Sequence, residues 1–190
     1  MKLRAIDPVV IDKLNINYGN GTSLNLDAQL TNVKVYGVIN AKVTKVLIDT
    51  DKKDVELHIF LPDLYFHADY KGTGQVLLIK LDSNGIMTTN LTDVNVVAKL
   101  DSEVIENNGK EYLKTEITEL TVDIKTLNFN LSNLFKDQAL TDNTNKVINE
   151  NIHDLYNELR PIIVDAIKAI VRNPVKNIMD GYPFDVLFPK

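Results

Sequence analysis

The sequence predicts an α+β fold in which a strongly curved antiparallel β-sheet wraps one long C-terminal helix. Three observations carry that expectation. Apolar residues alternate with period two through the first two thirds of the chain, Asn-Gly pairs punctuate the runs, and from about Thr141 the apolar spacing changes to three and four. One helix has too little surface to cover that many flat strands. The economical arrangement curls the sheet around the helix and leaves a long apolar interior, an internal hydrophobic tunnel.

Taken in order, Leu24, Leu26, Ala28 and Leu30 open the alternation, followed by Val33 and Val35. Val55, Leu57, Ile59 and Leu61 make the next run, and after Pro62-Asp63 the pattern resumes at Leu64, Phe66, Ala68 and Tyr70. Val94, Val96, Ala98 and Leu100 come next, then Leu113, Thr115 and Ile117, then Leu120, Val122, Ile124, Leu127 and Phe129. Asn20-Gly21, Asn84-Gly85 and Asn108-Gly109 fall between runs, where Asn-Gly favours the positive φ angles of tight hairpins. Long antiparallel hairpins follow. Leu77-Leu78-Ile79 is apolar on both faces, as in a strand covered on both sides.

The helix is read from Ile148, Ile152, Leu155, Leu159, Ile163, Ala166, Ile167 and Ile170, which place one stripe on one face. Thr141 or Asp142 is expected to cap its start, Pro161 to kink it, and Pro174 and Gly181 to mark its end. Some thirty residues at about 1.5 Å each reach about 45 Å, so an elongated molecule is expected.

Composition narrows the function. The 190 residues are 44% hydrophobic and 25% charged, ordinary globular composition, and one domain over residues 1–190 is expected. The net charge of −5 repels phosphate backbones, which argues against nucleic-acid binding. No run approaches a membrane span, and Asp7-Pro8 stops the start of the chain before a signal-peptide core can form. We therefore expect no stable membrane insertion. With Cys 0 there is no thiol chemistry and no disulfide, a mildly cytosolic sign. Sequons at Asn20, Asn90 and Asn130 pull toward secretion but weigh little in so asparagine-rich a chain.

Catalytic patterns are weak. None of Ser23, Ser83, Ser102 and Ser132 sits in a Gly-x-Ser-x-Gly elbow. Gly72-Thr73-Gly74 precedes a strand pattern, so it reads as a turn or bulge rather than a phosphate loop. A hairpin about Pro62-Asp63 would set His58 opposite His67, with Glu56 and Asp69 near, a possible metal site. Against that, Pro at the first turn position favours turns whose twist suits a two-residue hairpin poorly, and a solvated polar outer face is the preferred reading. His153 reads as a surface residue, and Glu116 with Glu119, and Asp101 with Glu103, as charged decoration. No enzyme, metal or cofactor is expected.

From Asn133-Leu134-Phe135 onward, Leu140, Asn145, Asn149-Glu150-Asn151, Leu159, Pro161, Pro183 and Leu187-Phe188 resemble the C-terminal signature of the insect takeout and juvenile-hormone-binding protein family. Upstream, Asp7-Pro8, Tyr70 with Gly74, the turn at Gly85, and Asn108-Gly109-Lys110-Glu111-Tyr112-Leu113 are similar to its early Asp-Pro and its hairpins, so the likeness spans roughly residues 5–189. The order and spacing of these pieces carry it, since none is a strict motif alone. Ile152 stands where the family often has Trp, and Lys136-Asp137-Gln138 lacks a usual Gly.

The resemblance implies a TULIP-like lipid-binding fold and a secreted, haemolymph-type carrier of juvenile hormone, a fatty acid or a similar lipid. It also implies a further N-terminal segment with a disulfide-bonded cysteine pair, which this chain is expected to lack. A monomer whose partner is a hydrophobic small molecule is expected. Phe66, Met87, Phe129, Phe135, Tyr156, Leu159, Ile163 and Ile167 are the candidate lining residues, with Ile163→Trp expected to block the tunnel. The alternative is an extracellular interaction module that signals through its surface.

Overall fold

The computed structural model describes residues 7–19, 24–49, 54–76 and 79–187, with only the backbone at 24, 166, 169, 170, 173, 174, 178 and 179. The sequon at Asn20 and most of Leu77-Leu78-Ile79 lie outside the described residues. Among the described residues the strands are β1 (Val9–Gly19), β2 (Leu24–Tyr36), β3 (Lys42–Asp49), β4 (Asp54–Val76), β5 (Ile79–Asn107) and β6 (Lys110–Leu131). They form one antiparallel sheet in the order β1-β2-β4-β5-β6, with β3 beside β4. Helices α1 (Gln138–Glu150), α2 (Ile152–Met179) and α3 (Phe184–Leu187) follow.

The hairpin at Asn108-Gly109 forms as expected, with φ of +52° and +73°, both in the left-handed region that a two-residue primed turn requires. Two other expected turns do not form. Pro62-Asp63 lies inside β4, which pairs with β3 over residues 54–60 and with β2 over 65–76. Proline has no N–H to donate, and it sits where the partner along one edge changes from β3 to β2, a break in the ladder that accommodates it. The buried row shifts parity there, from Val55 and Leu61 to Leu64, Ala68 and Tyr70, which made one strand look like two.

Asn84-Gly85 lies inside β5. Ile86 N–H donates to Ser132 Oγ at 2.8 Å, Ser132 N–H donates to Ile86 O at 2.9 Å, and a Cβ on Gly85 would stand 2.4 Å from Ser132 O. The glycine permits a close approach rather than a turn. Gly72-Thr73-Gly74 is likewise mid-strand, opposite Ala28, Asp27 and Leu26.

The helical third starts earlier than its pattern suggested. Asp137, not Thr141 or Asp142, is the cap, accepting from Leu140 N–H at 3.1 Å. Thr141 is buried, and its hydroxyl instead accepts from Phe135 N–H at 3.1 Å. The expected single helix is divided at Asn151 (φ −108°, ψ 18°), whose N–H is shared between the Val147 and Ile148 carbonyls. Helix α2 runs on through Pro161 and Pro174.

The chain packs as two compact units. The first comprises 1–41, 61–94 and 124–162, and the second 42–60, 95–123 and 163–190. Val33, Ala68, Val94 and Leu155 centre the first core, and Val55, Leu100, Leu113 and Val122 the second.

Candidate functional site

In the first unit, Tyr70 of β4 and Ser83 of β5 meet through their hydroxyls at 3.2 Å, which fixes the two rows on one face of the sheet. On β4 that row is Leu64, Phe66, Ala68 and Tyr70; on β5 it is Leu81, Ser83, Met87, Thr89 and Leu91. Of these side chains all are buried except Phe66 and Met87, which are half-buried, as is Gly85 between Ser83 and Met87. Phe66 pairs with buried Val35 of β2. On β6, buried Leu127 is followed at period two by half-buried Phe129. Phe135 lies between β6 and α1, held through its backbone by Thr141. On α2 the stripe begins with buried Ile152 and Leu155 and continues with half-buried Tyr156 and Leu159. Six candidate lining residues therefore lie in the first unit, each only partly covered. Ile163 and Ile167, also half-buried, belong to the second.

Few polar groups interrupt this face. Tyr70 Oη also donates to Ser132 O at 2.6 Å, and burial pushes its phenol up from the ordinary value, partly offset by the hydrogen bond with Ser83. Thr89 is 4% exposed, and its hydroxyl has no hydrogen-bond partner among the described residues.

Helix α1 lies along β6, the last strand in the sheet order. Asn149 Oδ1 accepts from Phe129 N–H at 2.8 Å while its Nδ2 donates to Phe129 O at 2.7 Å. One helical turn earlier, Asn145 does the same for Leu131 at 2.9 and 2.9 Å. Two side-chain amides thus satisfy backbone groups that a neighbouring strand would otherwise take.

In the second unit, Val43 faces Ile59, Val46 faces Leu57 and Ile48 faces Val55 across β3 and β4. This apolar face runs from Val55, 2% exposed, to Val43, 62% exposed. A groove of about 580 Å³ alongside is lined by Leu47, Ile48, Val55 and Leu100 together with Asp49, Asp54, Glu56, Lys99 and Asp101. Lys99 Nζ donates to Glu119 at 2.6 Å, which holds its ammonium above the usual range.

The profile of the family described as haemolymph juvenile hormone binding protein matches residues 1–189. The chain belongs to this family. Two relatives are the circadian clock-controlled protein daywake of Drosophila melanogaster, 27% identical over all of this chain and 76% of its own, and that of Drosophila yakuba, 26% identical over 98% and 75%. The crystal structure of Takeout 1 from Epiphyas postvittana superposes with a TM-score of 0.80 at 20% identity, covering 95% of this chain and 82% of that one. The fold of this juvenile hormone binding protein family member is therefore the takeout fold, a curled antiparallel sheet with few helices, as the sequence implied.

Within the family signature, Asn145 and Asn149 are the amides that close β6, and Asp7 accepts from Gly37 N–H at 2.8 Å. Their jobs were not visible in the sequence, although two asparagines four apart on a helix facing an edge strand are a usable sign. The His58, His67 site does not assemble. Because β4 has no hairpin, His58 pairs with Lys45 and His67 with Lys34, and His58 Nε2 lies 2.7 Å from Glu56 Oε1. No group of three or more candidate metal ligands occurs among the described residues. His153 is exposed, as expected. Among the described residues no helix is long and apolar enough to cross a membrane.

Proposed function

We propose that this chain is a secreted, non-catalytic carrier that takes an elongated lipophilic molecule, of the juvenile hormone or fatty acid class, out of water. The carrying observation is that Phe66, Met87 and Phe129 are only half-buried although Ala68, Thr89 and Leu127, their neighbours along the same rows, are buried. Accessible apolar side chains within an otherwise covered face mark space for an apolar guest. Family membership supports the same reading. Phe135, Tyr156 and Leu159 extend the face, and Ile163 and Ile167 continue the helical stripe. About ten buried methylenes at ~0.8 kcal/mol each give about 8 kcal/mol gross, enough for roughly micromolar binding before ordering costs.

Native mass spectrometry tests this directly. The purified chain is expected to gain one equivalent of juvenile hormone or of a long-chain fatty acid, and Leu159→Trp, folded by circular dichroism, is expected to lose that uptake at least about tenfold. An unshifted mass across hormones, fatty acids and quinones overturns the carrier reading in favour of a surface interaction module.

A further inference from the structure

Four side chains outside the apolar face meet on the other side of the sheet in the first unit. Lys34 and Tyr36 of β2 stand directly opposite His67 and Tyr65 of β4. They alternate with buried Val33, Val35, Leu64 and Ala68, so they point away from the interior. Together they line a groove of about 320 Å³. The tyrosine ring centroids are 5.9 Å apart with planes tilted by 38°.

The backbone makes this spot irregular at both ends. Between Thr31 and Lys34 the β2–β4 register shifts, with Asn32 at φ +52°, and beyond Tyr36 the chain turns at Gly37, φ +92°. Shifts of this kind re-aim side chains and frequently accompany sites. Asp69, the next residue along the His67 row, is engaged by Asn32 Nδ2 at 2.6 Å. Among the described residues, none of the four groove side chains makes a side-chain hydrogen bond or ion pair.

We infer that this groove binds a single anionic sugar ring. The exposed tyrosine surface receives one C–H face of the ring, the two phenol hydroxyls and the His67 imidazole exchange hydrogen bonds with its hydroxyls, and the Lys34 ammonium takes its carboxylate or sulfate. The inventory selects this class. A flat apolar anion leaves three polar groups without partners, a neutral sugar leaves the cation unused, and a long polyanion is opposed by the net charge of −5. The inference does not depend on the carrier reading.

Nitrogen-15 NMR of the intact protein, titrated separately with glucuronate, glucose and sodium sulfate, decides it. Glucuronate is expected to shift the amides of Lys34, Tyr36, Tyr65 and His67, and glucose to bind at least about fivefold more weakly. Lys34→Gln should erase that preference, and Tyr65→Ala should weaken glucuronate about tenfold, with Tyr65→Phe keeping most of the ring contribution if the alanine variant does not fold. Unmoved groove amides, equal binding of glucose, or sulfate reproducing the glucuronate shifts at equal affinity would each overturn the proposal.

Discussion

The two units finish the same edge strand by different means. In the first, β6 is closed by Asn145 and Asn149, which make four hydrogen bonds to the backbone of Leu131 and Phe129. In the second, Asp180 Oδ1 accepts from Thr115 N–H at 2.9 Å, and Tyr112 forms a single bridge with Pro183. The second unit also leaves Val43, Val46 and Leu47 exposed on β3, and its Lys99–Glu119, Lys114–Glu103 and Arg172–Glu116 pairs lie in solvent, where such pairs contribute little. Directional bonds at the edge reinforce the buried core of the first unit, around Val33, Ala68 and Leu155, whereas the second relies on burial of Leu100, Leu113 and Val122.

Removing the amides is the largest way to break this contrast. Each backbone group left without a partner costs about 1 kcal/mol, so Asn145→Ala with Asn149→Ala should lower stability by about 3–4 kcal/mol in urea unfolding. The matched change in the second unit, Asp180→Ala, removes one bond and should cost about 1 kcal/mol. Equal losses would mean that the edge bonds do not distinguish the units.

Tyr70 gives the next largest effect. Its hydroxyl bridges Ser83 and Ser132, so Tyr70→Phe should cost about 1–2 kcal/mol and leave the Ser132 carbonyl without that donor. The pH dependence has a defined sign. Burial raises the folded phenol above its ordinary 10.0, so the protonated form is favoured in the native state. That contribution is fully present below pH 10.0 and is lost as pH climbs through the raised value. Unfolding midpoints of the parent should therefore fall more steeply than those of Tyr70→Phe as pH climbs from 10.0 through the raised value. Parallel alkaline slopes would remove Tyr70 from the account.

How much of this was legible in the sequence depended on whether a residue's partner was local. Strand periodicity depends on the backbone alone, so the rows at Leu24–Val35 and Leu113–Phe129 and the Asn108-Gly109 turn were readable. Asn84-Gly85 carries the same dipeptide but is held straight by Ser132, a residue distant in sequence, and local turn chemistry cannot register that. Pro62 misled for a similar reason, since its missing donor falls where β4 changes partners. The early Asp137 cap was missed because buried Thr141 is committed to Phe135. Strand β3 escaped notice because nearly all of it is exposed and its alternation is broken by a register shift between Val43 and Lys45. The candidate lining residues were nameable as apolar positions, but their partial exposure depends on what neighbouring strands leave uncovered.

Thr89 offers the smallest and most diagnostic change. Its hydroxyl is enclosed beside Met87 and Leu91, with no partner among the described residues, whereas Ser83 on the same row is satisfied by Tyr70. A buried hydroxyl without a partner costs free energy that an isosteric methyl does not, so Thr89→Val should stabilise the protein by up to about 1 kcal/mol. Differential scanning calorimetry reads this as a raised midpoint. A lowered midpoint would show that the hydroxyl has a partner, such as a buried water, and would place a second satisfied polar group on the face proposed to meet the ligand. A raised midpoint would leave Tyr70 and Ser83 as the satisfied polar pair on these two rows, and would concentrate the search for the ligand's polar contact on their end of the face.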